Sequence, residues 1–87
     1  MNPKQLSEYY EEVTKELEKK GIAEAINWIP VPRSEVQNFH SLLSDTLFNE
    51  VLRHFNDGDS AEDSAVEIYN ILVKKALYLT HQEPTLN

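Results

Sequence analysis

Two groups of side chains in this sequence are of types that do chemistry. One is the histidine pair His40 and His54, and the other is the acidic run Asp57, Asp59, Glu62, Asp63 and Glu67. Closely spaced carboxylates could hold a hard cation, but a calcium loop needs oxygen donors at alternate positions and a glycine at the sixth. Counted from Asp57, the fifth position is Ala61 and the sixth is Glu62, so the pattern fails. What remains is turn chemistry followed by acids at a helix start, where the helix dipole favours them. The run contains no base to compensate it, so it also reads as an acidic docking patch for a basic partner surface.

On a helix, His40 and His54 stand about 21 Å apart at 1.5 Å per residue, too far for one metal ion. Both point toward the apolar side of their segment. His54 lies one turn after Glu50 and near a helix C-terminus, a place that suits a cationic ring. An ordinary packed histidine and a pH-sensing one both fit this pattern. The remaining histidine, His81, falls at the edge of the tail. The two glycines, Gly21 and Gly58, cannot build a phosphate loop, and no Glu is followed three residues later by His as in diiron bundles. Neither H-E-x-x-H nor G-x-S-x-G occurs. The expectation is a protein that is not an enzyme and needs no metal or cofactor.

The elements that place these residues are helices. The stretch from Arg33 to Phe55 is the central one. Val36, Phe39, Leu43, Leu47, Val51 and Phe55 recur at helical spacing. Phe48 and Leu52 widen the stripe and Leu42 lies near its opposite border, giving an apolar arc of roughly 220° where about 100° serves one buried face. Such a helix must be covered on more than one side. Ser34 and Gln37 read as a capping box for its start.

The first helix is expected at about 3–20. Asn2 caps it, Pro3 opens it, and Leu6, Tyr9, Tyr10, Val13 and Leu17 form a narrow stripe. Gly21 stops it in a left-handed residue. A short helix over about 22–29 follows, then the stiff connector Pro30-Val31-Pro32. The central helix spans about 34–55. A last helix over about 60–81 is capped by Asp59 with Glu62 or by Ser60 with Asp63, and carries Ala65, Ile68, Tyr69, Leu72, Ala76 and Leu79 as its main stripe. Residues 83–87 read as a frayed tail. Connections this short make neighbouring helices run back on one another. The fold expected is all-α: one domain, an antiparallel three-helix bundle with an additional short helix after the first.

The chain has 87 residues, no cysteine and a net charge of −7. That balance disfavours phosphate backbones and anionic membranes. No disulfide is available, the first dozen residues do not resemble a signal peptide, and no apolar run approaches a membrane span, so a cytoplasmic protein is expected. Ile71 and Tyr78 lie on a row that the last helix's core stripe does not use, Leu42 is surplus to a simple core, and Trp28 stands beside the connector. With the acidic residues Asp57, Asp59, Glu62, Asp63 and Glu67, these make the expected partner-binding set. The function expected is a non-catalytic module, a small acidic regulator or inhibitor that occupies a surface of a larger protein. The alternatives are a DNA-mimicking inhibitor of a nucleic-acid-binding protein and a homo-oligomeric structural subunit; a homodimer surface and a hetero-partner site can coexist. The short segment 22–29 could instead cover the surplus apolar surface.

Overall fold

A computed structural model describes residues 2–81, with nothing to say of the His81 side chain. Its elements are α1 (Pro3–Lys19), α2 (Ile22–Asn27), a single 3-10 turn (Arg33–Glu35), α3 (Val36–Asp57) and α4 (Ala61–His81). The fold is a small all-α bundle, as the periodicities predict. The expected tail at 83–87 lies outside the described residues.

Local chemistry sets most boundaries. The Asn2 side-chain oxygen accepts from the Lys4 N–H at 2.9 Å, and Pro3 occupies the first turn. Gly21, at φ +82°, ends α1 and begins α2 in one residue, a conformation that a side chain would strain. The short helix stops at Asn27 rather than residue 29. Ile29 precedes Pro30, and proline pushes the residue before it out of the helical region.

The start of α3 corrects the expected capping box. The Glu35 N–H donates to the Pro32 carbonyl at 2.8 Å, forming the 3-10 turn, and the helix proper begins at Val36 with no side-chain cap. Proline-led turn geometry wins over the Ser34–Gln37 pairing. The far end runs to Asp57, two residues past the expected stop. Gly58 at φ +79° takes the left-handed position, its N–H reaches the Phe55 carbonyl at 3.2 Å, and the Asp59 N–H reaches the His54 carbonyl at 3.1 Å. These two bonds form a Schellman motif. Of the two caps open for α4, Ser60 forms: its hydroxyl accepts from the Asp63 N–H at 3.1 Å.

Tyr9 meets Phe55 at a tilt of 58° with centroids 5.3 Å apart, and Tyr10 meets Phe48 at 6.3 Å. As α1 advances it passes α3 residues in descending order, so the two run antiparallel. α4 returns along both and α2 rests on α1 and α4. Val13 and Leu17, then Phe39, Leu43 and Val51, then Ala65, Ile68, Leu72 and Ala76 form the core. Ile22, Ile26, Ile29 and Val31 pack against it, so the short helix covers part of the surplus apolar surface.

Ser64 is fully buried, and its hydroxyl is hydrogen-bonded to that of Tyr9. Burial pushes the Tyr9 hydroxyl above the ordinary tyrosine value of 10.0, against the lowering effect of the Ser64 bond and with help from the nearby charges of Asp59 and Asp63. The unfolded chain therefore ionises first. The stabilisation from neutral Tyr9 is intact below pH 10.0 and is lost as pH rises toward the folded value. Urea unfolding across this range will show stability falling, and falling less in Tyr9→Phe. An equal fall in both proteins contradicts this role for Tyr9.

Candidate functional site

The expected partner-binding residues separate into two groups at opposite ends of a molecule 43 Å long. Asp57, Asp59, Glu62, Asp63 and Glu67 surround the α3–α4 turn, while Leu42 lies in a crevice where the connector, the start of α3 and the end of α4 meet, Trp28 at the end of α2, and Tyr78 in the last turns of α4. Ile71 is half-buried between them.

The acidic end is not the uncompensated run that the sequence suggests. His54 is 1% exposed and sits at its centre. Its Nδ1 is 2.7 Å from Asp59 Oδ2, and its Nε2 is 3.7 Å from Glu67 Oε1 and 3.9 Å from Glu50 Oε1. Arg53 donates to Glu50 at 2.7 Å and approaches Asp57 at 3.9 Å. The cause is the helix end: the Schellman turn swings Asp59 back over His54, and α4 brings Glu67 to the other ring nitrogen. Glu62 and Asp63 remain exposed and make no ion pair among the described residues. No group of three or more His, Asp or Glu among those residues is arranged to hold a metal ion. His40, expected on the apolar side, is exposed and lies edge-on to Phe39 at 5.5 Å.

At the other end, Trp28 is 85% exposed and Tyr78 is 67% exposed. Trp28 caps α2 two residues before Pro30, where the chain leaves the helix. Leu42 is half-buried in a crevice with Val31, Pro32, Phe39 and Leu79, so part of its surface packs within the chain.

Two openings complete the surface. Phe48, 48% exposed, stands beside Tyr10 in a groove along α1 of about 780 Å³. The wide apolar arc of α3 is thus left partly uncovered. The second opening lies between α2 and α3, whose backbones do not approach one another closely, and measures about 320 Å³. Sequence spacing gives no sign of this cleft, because it depends on how far the connector holds α2 from α3. Among the described residues, no helix is long and apolar enough to cross a membrane.

No protein-family model matches the chain, and neither a curated protein nor a solved structure is similar to it.

Proposed function

We propose that the chain is a non-catalytic protein-binding module, a small acidic regulator or inhibitor that acts in the cytoplasm by occupying a surface of a larger protein. The observation that carries this reading is the exposure of two large aromatics, Trp28 and Tyr78, the two most exposed of the bundle's large apolar side chains among the described residues. Trp and Tyr supply large rigid contact area with a polar handle, and they dominate binding energy where they occur at interfaces. Glu62 and Asp63 at the far end act at longer range, speeding encounter with a basic partner more than holding it. The groups most suited to chemistry are already engaged: the His54 ring is sealed from solvent against Asp59, and the Ser64 hydroxyl is held by Tyr9.

Affinity capture from the natural source tests the proposal. Wild type should retain a stoichiometric partner, Trp28→Ala with Tyr78→Ala should lose it, and Glu62→Gln with Asp63→Asn should keep it with a slower, less salt-sensitive association. Retention by the aromatic double variant would overturn the proposal.

A homodimer is the second reading, and Phe48 favours it. A half-exposed aromatic beside Tyr10 on a helical groove is the kind of patch that a second copy covers. The DNA-mimic alternative is weakened by Arg53 and His54, which stand among the acids it would rely on.

A further inference from the structure

The cleft between α2 and α3 opens beside Trp28, with Asn27 lining both the cleft and the shallow surface around the indole. We propose that this cleft takes a short basic-apolar segment of the partner protein, an aliphatic side chain in the cleft and a neighbouring arginine across Trp28. The inference rests on the binding-module reading and names its site and the chemistry of its partner.

The cleft walls are mainly aliphatic, with Leu17, Ile22, Ile26, Leu43, Leu47 and Leu72 along them, and polar side chains, His40 among them, complete the lining. Its volume of about 320 Å³ suits one or two side chains rather than a helix. Ile22, Ile26 and Leu47 are only half-buried, so an inserted aliphatic group would remove their remaining apolar surface from water.

The rim supplies the charge argument. Glu18 lines the cleft, and Glu24 lines the shallow surface that holds Trp28. Both are exposed and neither forms an ion pair among the described residues. Glu24 precedes Trp28 by four residues, one helical turn, so the two share a helix face, with the Glu24 carboxylate turned toward Gly21. A guanidinium suits this face: its plane stacks on the indole, and its N–H groups can draw the exposed Glu24 side chain across by one turn. Lysine offers a point charge without the flat stacking face. A second copy of the chain fits poorly, because it brings a charge of −7 and only Arg33 and Arg53, the latter already held by Glu50.

The test uses the full chain and blocked hexapeptides carrying one Arg and one Leu at varied spacing. Binding is read from the methyl signals of Ile26 and Leu47 and the indole N–H of Trp28. Saturable shifts at these three signals are expected for at least one spacing. Glu18→Gln with Glu24→Gln should weaken binding about fivefold, the scale of a lost exposed ion pair, while the stacking on Trp28 remains. Ala23→Leu, which fills the cleft from its exposed rim, should abolish the methyl shifts. Replacing the peptide's Arg by Glu should abolish binding. Shifts located elsewhere, no binding at any spacing, or indifference to these variants would overturn the proposal. The same signals moving on concentration of the protein alone would assign the cleft to a second copy, and would also overturn it. Partner capture separates the two levels: retention by Ala23→Leu with loss in Trp28→Ala leaves the binding module standing and removes the cleft from it.

Discussion

Replacing Ile68 by Ala will destabilise the bundle by about 3–4 kcal/mol, within the range for large-to-small changes in closed cores. Ile68 is 0% exposed and stands mid-helix on the core face of α4, among Val13, Val51 and Leu72. Truncation removes buried methyl groups and leaves a void that helices on two sides cannot collapse into. Tyr78→Ala, on the row that the core does not use, should change stability by less than about 1 kcal/mol, as exposed substitutions do. Urea unfolding of both variants measures the contrast. Similar losses would mean that Tyr78 is a packing residue, and it would then be unsuited to the interface assigned to it.

The second large effect is at His54. His54→Ala should cost about 3 kcal/mol, combining lost packing with the lost hydrogen bond to Asp59. The ring is 1% exposed and joins α3 to the turn through its 2.7 Å hydrogen bond with Asp59, so its removal loosens the α3–α4 junction. Asp59→Ala should cost about 1–2 kcal/mol, because its carboxylate is partly solvated and only one charge-assisted bond is lost. A double-mutant cycle between the two should return a coupling of about 1 kcal/mol or more, the range for residues in direct contact. Strict additivity would mean that the 2.7 Å contact contributes nothing to folding.

Much of this fold is legible in the sequence because its rules are local. Asn2, Gly21, Gly58 and Ser60 mark helix ends by backbone chemistry that needs no distant partner. The stripes through Val13 and Leu17, through Phe39, Leu43 and Val51, and through Ile68, Leu72 and Ala76 follow from a 3.6-residue period. What sequence reading misplaces are local competitions and distant encounters. Ser34 and Gln37 form a sound capping pattern, but the turn led by Pro32 takes up the Glu35 N–H first. Asp59 looks like a cap for α4, yet the left-handed Gly58 turns it toward His54. Ser64 is buried because a tyrosine 55 residues earlier reaches it. Of the four residues read as surplus apolar surface, Trp28 and Tyr78 are exposed, whereas Leu42 and Ile71 are half-buried because the connector and the neighbouring helices cover part of each. The approach of Asp59 and Glu67 to His54 and the cleft beside α2 depend on where chain segments settle against one another, and no periodicity encodes that.

Trp28 is the only tryptophan in the chain, so its fluorescence reports on the central claim without labelling. The decisive measurement is acrylamide quenching of Trp28, first in the protein alone and then with the purified captured partner, whose own signal is subtracted. The expected result is near-complete accessibility alone, independent of protein concentration, and strong protection with a blue-shifted emission in the complex. Protection in the isolated protein would contradict the exposed position of the indole. Unchanged quenching in a complex that demonstrably forms would contradict the assignment of this end of the bundle as the surface that binds.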